Sequence, residues 1–459
     1  MPVMPVGACM IAEATERSGH HVHLVDLMFT KKQMATIQSS VLKVKPDVIG
    51  LSIRNIDNNE MKGTLFFLED FRSVISTIRN LTGVPIILGG AALGVMPEEI
   101  LRFGDLSCGV TGDGQTVFPL LLKCMERNET FTDIPGIVYI KNGIFKRNPA
   151  QAWADVNGMV APDYARWLNI SNYRSQMVTA PVQTKIGCPF QCIYCTYGKI
   201  EGNEYRLYEP GRVADAAIQL IAAGLRDIEI VDSVFNEPYD HAMRVSEALA
   251  SMGRWARFQS LALNPRSFDD ALVSMMERAG FVGIGITVES AADAVLQGLR
   301  KGFTTREVYH AAEVVQRHHL SCAWIFMFGG PGETRETVRE TLRFAEYAIR
   351  PQDVAFFNIG IRIYPGTELE AIARHQRTLS SNDMLTPVFY VSPDIDVGWM
   401  ELELNKFMNN HTNVINLGSL GNALLPTVHR MGYRLGLKPP LWKYTRIINR
   451  GFRLMGMNV

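Results

Sequence analysis

The middle of the chain, from residue 178 to about residue 375, alternates strand-like and helix-like segments. Six apolar or β-prone runs recur there, and polar or glycine residues stand at the end of each one. The runs are Val182–Ile186, Ile228–Asp232, Phe258–Leu263, Gly283–Val288, Ala323–Phe328 and Val354–Ile363. Strands that alternate with helices in this way predict a parallel sheet. Functional residues of β/α barrels cluster at the carboxyl ends of the strands, so the residues that end each run are the candidates for chemistry.

Three cysteines follow the first run at the spacing C-x3-C-x2-C, namely Cys188, Cys192 and Cys195. Soft thiolate ligands favour iron–sulfur clusters, zinc or copper(I). A cubane cluster normally takes four cysteine thiolates, and no fourth cysteine lies within the next hundred residues. Three thiolates would leave one iron open to a ligand that is not protein. A structural zinc site needs four ligands, which no partner pair or nearby histidine supplies. Three unrelated thiols in a reduced protein are the remaining interpretation.

With Tyr194 directly before the third cysteine, this motif resembles the cluster motif of the radical SAM superfamily. The strand series resembles the partial six-stranded (β/α)6 barrel of that family, and three later segments resemble its landmarks. These segments are Glu289-Ser290, Gly329–Thr334 and Tyr364–Thr367. The resemblance implies a [4Fe–4S] cluster whose open iron binds S-adenosylmethionine (SAM) through its amino and carboxylate groups. It further implies cleavage of SAM to a 5′-deoxyadenosyl radical, and an electron donor of the flavodoxin or ferredoxin type.

Four residues at or near the predicted strand ends are candidates for SAM contacts. Carboxylates suit the ammonium and the ribose hydroxyls of SAM, because they accept charge-assisted hydrogen bonds. Asp232 and Glu289 occupy such positions, Ser290 can add a hydroxyl contact, and Tyr194 can lie near the adenine. For Glu289 the alternative is a salt bridge at the barrel rim, since many strand-end carboxylates are structural.

Residues 1–130 alternate helical and strand-like signals, which predicts a parallel α/β domain. We expect helices over residues 5–18 and 66–81, strands over 21–26, 46–52 and 84–88, and a further short strand before Gly112. Glycine-rich turns follow several of these strands, and open α/β sheets bind ligands at the carboxyl ends of their strands. Any single turn is more often an ordinary strand-to-helix connection.

Taken together, these turns resemble the Rossmann-like cobalamin-binding domain that precedes many radical SAM domains. The resemblance rests on Gly50-Leu51-Ser52, Gly89-Gly90 and the segment from Gly112 to Phe118. It implies cobalamin contacts at Ser52, Asn55, Asp57, Gly89, Gly90, Gly112 and Asp113. The family usually has a strand before the Pro-x-Gly segment. Here Met1 falls almost on that segment, so either this strand is missing from the given residues or the sheet is built differently.

The chain lacks the D-x-H-x-x-G motif whose histidine ligates cobalt in many other cobalamin proteins. His20, His21 and His23 stand in no such context, and we expect them to be surface or structural residues. Bound cobalamin is therefore expected to carry no protein imidazole on cobalt.

Two further regions complete the predicted organisation. Residues 131–177 are expected to form a connector, with a hairpin around Lys141-Asn142 and a proline-marked linker. Residues 376–459 are expected to be mostly helical, with an extended segment over 385–393 that closes over the barrel mouth. The stretch 442–457 mixes Lys and Arg with apolar residues at roughly helical spacing. Such a helix makes a peripheral membrane contact or docks on its own domain, and docking is the more usual case.

The composition fits a multidomain enzyme of a reducing compartment. A chain of 459 residues predicts two or three domains. A formal net charge of zero and a pI near 7.1 give no indication of a nucleic-acid partner. Seven cysteines, three of them clustered, argue against a disulfide framework. We see no secretory signal and no apolar run of membrane-spanning length, so a cytoplasmic location is expected.

Both domains together resemble the cobalamin-dependent (class B) radical SAM enzymes over residues 1 to about 395. The resemblance implies a methyltransferase that acts on an unactivated carbon, or on phosphorus, of a small molecule through a 5′-deoxyadenosyl radical and methylcobalamin. One alternative is a radical SAM oxidoreductase or cyclase that uses cobalamin without methyl transfer. Another is a cobalamin-binding sensor with a vestigial cluster.

Overall fold

The computed structural model describes residues 2–149, 155–158, 161–379, 383–419 and 425–454. Its N-terminal layer is an α/β sheet in which three parallel strands are followed by an antiparallel hairpin. The strands, in spatial as well as chain order, are β1 (Ile49–Ser52), β2 (Ile86–Gly89), β3 (Cys108–Val110), β4 (Ile137–Lys141) and β5 (Ile144–Arg147). The helices are α1 (Val6–Arg17), α2 (Gln33–Val44), α3 (Leu68–Arg79), α4 (Ala91–Val95), α5 (Pro97–Phe103) and α6 (Gly114–Glu126).

The strand expected over residues 21–26 does not form, and that prediction is wrong. Its side chains alternate between exposed and half-buried as in a strand, but among the described residues no strand pairs with it. The segment instead crosses to the second domain, where Asp26 accepts a hydrogen bond from the Tyr173 hydroxyl at 2.8 Å. Phe29 packs edge-on against the same ring, with 4.7 Å between centroids. Side-chain contacts with the second domain replace the sheet pairing that the pattern suggested.

The hairpin expected around Lys141-Asn142 forms as β4 and β5. It does not lie free between the domains, because β4 pairs with β3 and so extends the N-terminal sheet. This sheet therefore continues as far as Arg147.

The second domain is built on a parallel sheet of seven strands. The remaining strands of the chain are β6 (Ala180–Val182), β7 (Lys185–Ile186), β8 (Arg206–Leu207), β9 (Asp227–Ile230), β10 (Arg257–Leu263), β11 (Phe281–Glu289), β12 (Ser321–Phe328), β13 (Val354–Ile359), β14 (Ile361–Arg362), β15 (Phe389–Tyr390) and β16 (Val414–Asn416). The spatial order of the large sheet is β16-β13-β12-β11-β10-β9-β6. Five of these strands match predicted runs, whereas the first run, Val182–Ile186, shares only Val182 with β6 and ends in β7, which pairs with β8 in a separate two-stranded sheet. The seventh, β16, comes from the C-terminal region and lies at the edge beside β13.

Helices cover this sheet and link its strands. They are α7 (Tyr164–Trp167), α8 (Ile170–Ser175), α9 (Tyr197–Glu201), α10 (Pro210–Ala222), α11 (Tyr239–Ser251), α12 (Asp270–Ala279), α13 (Asp293–Gly298), α14 (Thr305–Arg317), α15 (Arg335–Tyr347), α16 (Glu368–His375), α17 (Val397–Asn410), α18 (Leu425–Arg434) and α19 (Thr445–Leu454). Within the described residues no helix is both long enough and apolar enough to span a bilayer.

The C-terminal region completes the second domain. The extended segment expected over residues 385–393 contains β15, which pairs antiparallel with β14 beyond the end of β13. Helix α19 docks on its own domain, because the Asn449 amide donates to the carbonyls of Thr412 and Val414 at 3.1 and 3.3 Å. Docking, one of the two interpretations of this basic helix, is therefore confirmed for the face that carries Asn449, and the membrane contact stays a prediction for the opposite face.

Apolar packing continues from one domain into the other. A single buried cluster includes Leu68 and Leu88 of the N-terminal layer together with Ile193, Leu299 and Ile361 of the second domain. The second domain has its own core in addition, in which Phe326 and Phe357 stack with centroids 4.8 Å apart. Because the two domains share this apolar cluster, it fixes the orientation of the loops of one domain relative to the other.

Candidate functional site

The three motif cysteines lie on a loop between β7 and α9, and local contacts hold its backbone. Gly187 has φ of +95°, and a Cβ there would lie 2.0 Å from the Glu204 carbonyl oxygen, so glycine is required. The backbone N–H of Gly187 donates to the Glu201 carboxylate at 3.0 Å, and that of Cys188 donates to the Gly202 carbonyl at 3.0 Å. Further along, the Ile193 N–H donates to the Leu299 carbonyl at 3.3 Å. The loop is therefore positioned by its surroundings.

All three motif cysteines are free thiols in the structure. Burial raises the pKa of each, for Cys195 to about 11. Among the described residues, no three His, Cys, Asp or Glu side chains converge as they would around a single metal ion. In a cubane cluster each thiolate binds a different iron, so its ligands stand further apart than those of one ion. Three soft thiols on one loop fit such a cluster, while a closed zinc site would need four ligands around one point.

The half-buried Tyr194 of the cysteine loop forms a polar group with Glu289 and Lys301, which are both buried. The Tyr194 hydroxyl donates to Glu289 Oε1 at 2.8 Å, and Lys301 Nζ lies 2.9 Å from Glu289 Oε2. Lys301 Nζ also donates to the Tyr194 hydroxyl oxygen at 3.3 Å. Burial alone would lower the pKa of Lys301, but the Glu289 carboxylate raises it above its usual value. An ammonium and a carboxylate thus lie next to each other within reach of the cysteine loop.

Glu289 takes part in the salt bridge that was the alternative interpretation of this residue. It also has φ of +60°, which is uncommon for any residue other than glycine. Non-glycine residues in this region cluster at functional sites, where the surroundings hold them in place. The ion pair and a ligand contact are compatible, since a carboxylate can accept about four hydrogen bonds.

The other two candidates for SAM contacts are engaged elsewhere. Asp232 is buried and accepts hydrogen bonds from the Thr184 N–H at 2.7 Å, the Thr184 hydroxyl at 2.5 Å and Lys185 Nζ at 3.0 Å. Ser290 is also buried, and its hydroxyl lies 3.1 Å from that of Thr341 on α15. These contacts indicate that both side chains hold strand ends in place, and their contacts with SAM stay predictions.

The residues suggested for cobalamin gather at the carboxyl ends of β1, β2 and β3, and the structure divides them into two groups. Ser52, Asn55, Gly90 and Gly112 are exposed, and Gly89 is half-buried. At Gly90, φ is +100° and a Cβ would lie 2.2 Å from the Ile53 carbonyl oxygen, so no larger residue fits. The exposed members leave an open, glycine-lined edge that suits a bulky cofactor.

Asp57 and Asp113 differ from that group, because each makes an ion pair with the second domain. Asp57 Oδ2 lies 2.8 Å from Arg362 Nε, and both side chains are buried. Asp113 lies 2.7 Å from Arg206 Nη1 and 3.1 Å from its Nη2, in a two-pronged contact. Both pairs tie loops at the carboxyl edge of the N-terminal sheet to the second domain. A direct cobalamin contact of the enclosed Asp57 carboxylate is not supported.

Further contacts close this junction. The Tyr364 hydroxyl donates to the Asn59 side-chain oxygen at 2.7 Å, and the Asn358 amide donates to the Asn59 carbonyl at 3.3 Å. Arg206 stands on β8, which pairs with β7 directly before the cysteine loop. The loops of the N-terminal sheet therefore face the side of the second domain that carries the cysteines.

Sequence reasoning did not find Lys301, Arg206 or Arg362. Lys301 follows α13, and no strand end marks it in the sequence. Arg206 and Arg362 lie on two-residue strands, β8 and β14, which are too short to give a periodic signal. All three residues belong to the site because they pair with residues far away in the chain. A single sequence does not show which distant residues pair.

Two family models match the chain, one in each domain. The model of the B12 binding domain matches residues 1–122, and that of the radical SAM superfamily matches residues 182–345. The first range contains the glycine-lined edge, and the second contains the cysteine loop together with Glu289 and Lys301.

Relatives and solved structures agree with this pairing of domains. An uncharacterised methyltransferase of Pyrococcus horikoshii is 25% identical over 80% of this chain and 77% of its own length. Tryptophan 2-C-methyltransferase of Streptomyces laurentii is 22% identical over 84% and 76%. The structure of the radical SAM methyltransferase TsrM from Kitasatospora setae, with cobalamin and a [4Fe–4S] cluster bound, has a TM-score of 0.85 at 20% identity and covers 99% of this chain and 97% of its own. The chain thus combines a B12 binding domain with a radical SAM domain, which is the domain organisation of the cobalamin-dependent radical SAM family.

Proposed function

We propose that this protein is a methyltransferase that moves a methyl group from SAM to an unactivated carbon, or a phosphorus centre, of a small molecule. The observation that carries the proposal is the junction itself. Two ion pairs, Asp57–Arg362 and Asp113–Arg206, hold the cobalamin-domain loops against the side of the second domain that bears the cysteine loop. An enzyme that uses both cofactors on one substrate needs their sites to open toward the same space.

We propose that Cys188, Cys192 and Cys195 hold the [4Fe–4S] cluster. Cluster, SAM and cobalamin supply the radical and methyl-transfer chemistry when they are bound, and the protein binds and orients them. Cys188, Glu289 and Lys301 are buried, and limited access of water there strengthens the electrostatic interactions of charged ligands.

Beside that loop, we propose that Glu289 and Lys301 recognise the amino-acid part of SAM. The carboxylate of Glu289 suits an ammonium and the ammonium of Lys301 suits a carboxylate, each through charge-assisted hydrogen bonds. The Tyr194 hydroxyl contacts both residues, since it donates to Glu289 and accepts from Lys301, and its ring would pack on the adenine. The 2.9 Å ion pair keeps both charged groups in place before the ligand arrives.

The exposed edge formed by Ser52, Asn55, Gly89, Gly90 and Gly112 is the proposed cobalamin surface. Two partners complete the proposal. An electron donor of the flavodoxin or ferredoxin type would supply the cluster with electrons, and the C-terminal basic helix α19 would make a peripheral membrane contact.

The products formed from SAM test this function against its two alternatives. We expect anaerobically reconstituted protein to form S-adenosylhomocysteine as well as 5′-deoxyadenosine, with S-adenosylhomocysteine dependent on added cobalamin. 5′-Deoxyadenosine alone, with cobalamin bound, would favour the oxidoreductase or cyclase. Cobalamin binding without any turnover of SAM would favour the sensor.

A further inference from the structure

The C-terminal end of the chain is strongly cationic, although the protein as a whole is neutral. Residues 404–459 contain eight Lys and Arg and no Asp or Glu, whereas the whole chain contains 46 of each kind. Seven of the eight lie between Arg430 and Arg453, in and around α18 and α19. This excess of positive charge creates a local electrostatic field that attracts anions.

Helix α19 has two distinct faces. Its buried face carries Thr445 and Asn449, and it is the Asn449 amide that docks the helix beside β16. Its outer face carries Ile447, Arg450 and Leu454 at the spacing i, i+3, i+7 of one helical stripe. Ile447 is 70% exposed and Leu454 is 89% exposed, so the docking of α19 leaves these two aliphatic side chains in contact with water.

Helix α18 repeats this arrangement. Arg430, Met431, Arg434 and the following Leu435 are exposed on one side, while Gly432 is buried on the other. Met431 is 57% and Leu435 74% exposed. Two consecutive helices thus each present large aliphatic side chains flanked by arginines.

Several of these cations have no anionic partner within the part of the chain that the structure describes. Arg434, Arg446 and Arg450 take part in none of its ion pairs. Lys438 forms no ion pair either, but its charge acts on the Asp227 carboxylate, where it opposes the rise in pKa that burial causes. Arg453 differs, since it donates to backbone carbonyls of residues 408, 409 and 411 and so helps to dock α19. Three arginines without an ion pair thus stand among four exposed aliphatic side chains, Met431, Leu435, Ile447 and Leu454.

We propose that the outer faces of α18 and α19 form a docking surface for an anionic phospholipid bilayer. We call this surface the cationic face and define it by Met431, Arg434, Leu435, Lys438, Arg446, Ile447, Arg450 and Leu454. Helices that lie in a membrane interface combine Lys and Arg with aliphatic residues in this way, and each cation near an anionic surface adds to the attraction. Arg and Met are also frequent in protein interfaces, but a region of two helices with cations and no carboxylate matches a uniformly anionic surface, which a phospholipid bilayer provides. This proposal stands independently of methyl transfer.

Binding of the full-length protein to vesicles tests the proposal. We expect co-sedimentation with vesicles of phosphatidylcholine that contain about one third phosphatidylglycerol, much less with pure phosphatidylcholine, and loss of binding as salt screens the charges. The double variant R446Q/R450Q should bind the anionic vesicles on the order of 25-fold more weakly, since each cation contributes about fivefold. I447Q/L454Q should also weaken binding, because it removes the aliphatic contacts.

Two variants outside the cationic face serve as matched controls. R339Q/R343Q removes two exposed cations of α15, and L402Q removes an exposed aliphatic side chain of α17. Both should bind vesicles as the wild type does, and all variants should keep the wild-type melting temperature. Equal binding to neutral and anionic vesicles, or equal weakening by the controls, would overturn the proposal. Binding to an acidic electron-carrier protein without any binding to vesicles would overturn it in favour of a protein partner.

Discussion

Asp57 and Arg362 form a buried ion pair across the domain junction, with 2.8 Å between Oδ2 and Nε. The second carboxylate oxygen of Asp57 accepts the Asn59 N–H at 2.8 Å. The Arg362 guanidinium also donates to the carbonyls of Ile363 and Met384, at 2.6 and 2.8 Å. Each charge is therefore surrounded by partners, which is the condition under which a buried pair persists. The pair fixes the loop after β1 against β14.

Replacement of Asp57 by Asn should destabilise the protein strongly, because it leaves the Arg362 charge buried without its counter-ion. Loss of one partner of a buried pair costs about 3–5 kcal/mol. Denaturant unfolding measures this loss. The control is Glu98→Gln, which breaks the exposed pair with Arg102 and should cost less than about 1 kcal/mol. An equal, small effect of both substitutions would show that the junction does not depend on the pair. In the folded fraction cobalamin affinity should change little, whereas a large loss would restore Asp57 as a direct contact.

Cobalamin should bind to the N-terminal domain without a histidine on cobalt. The D-x-H-x-x-G motif is absent, and the exposed edge at Ser52, Asn55 and Gly112 offers no histidine. Electron paramagnetic resonance of bound cob(II)alamin tests this with protein that carries nitrogen-15 in its histidines only. The spectrum should be identical to that of unlabelled protein. A change in hyperfine splitting on labelling would demonstrate a histidine ligand.

Replacement of Glu289 by Gln should weaken SAM binding about ten- to hundredfold, because loss of a charged hydrogen-bond partner costs about 1.5–3 kcal/mol. Cluster content and cobalamin binding should remain. Tyr194→Phe is the matched control, since it removes one hydrogen bond to Glu289 and leaves the carboxylate charged. Calorimetric titration gives the SAM affinity of both variants, and thermal unfolding gives their stability. If Glu289 serves only its salt bridge with Lys301, its replacement will lower stability and leave SAM affinity as it was.

Glu333 should make stability depend on pH between about 4.5 and 7. Burial raises its pKa from 4.5 to about 7, while hydrogen bonds from the Thr337 hydroxyl and the Gly329 N–H lower it. The folded state therefore holds a proton that the unfolded state releases, and stability falls as pH rises through this window. The pKa difference corresponds to roughly 3 kcal/mol.

Glu333→Gln keeps a neutral side chain that can accept from Gly329 and donate to Thr337. We expect it to be more stable than the wild type above pH 7 and equally stable near pH 4. Thermal unfolding of both proteins across this range provides the comparison. Parallel curves would mean that Glu333 does not titrate in the window.

The sequence predicted the elements that carry strong local patterns. Strands β10 to β13 are apolar runs of six to nine residues that end at polar or glycine residues, and helix α3 follows apolar periodicity. The cysteine loop was predictable because three cysteines at so close a spacing are typical of a metal or iron–sulfur site. The strand over residues 21–26 failed because alternating burial does not by itself provide a neighbouring strand. Strand β16 was missed because a three-residue segment carries no periodicity.

Within the candidate site, residue type was predictable and pairing was not. The carboxylates of Asp57, Asp113 and Asp232 stand in turns where a ligand contact is reasonable. Their actual partners, Arg362, Arg206 and Lys185, are between 47 and 305 positions away in the chain. Only the folded chain brings these charges together. Glu289 is the case in which the ligand contact and the ion pair are compatible.

The most direct test of methyl transfer follows the methyl group of isotope-labelled SAM through the anaerobic, fully reconstituted protein and a pool of small molecules. The account predicts label in an organic product, dependent on cobalamin and absent when Cys188, Cys192 and Cys195 are replaced by Ala. Replacement of Cys124, a free cysteine outside the motif, should leave the transfer intact. Mass spectrometry that finds 5′-deoxyadenosine but no methyl label in any product, or label transfer that survives the triple replacement, would contradict the account.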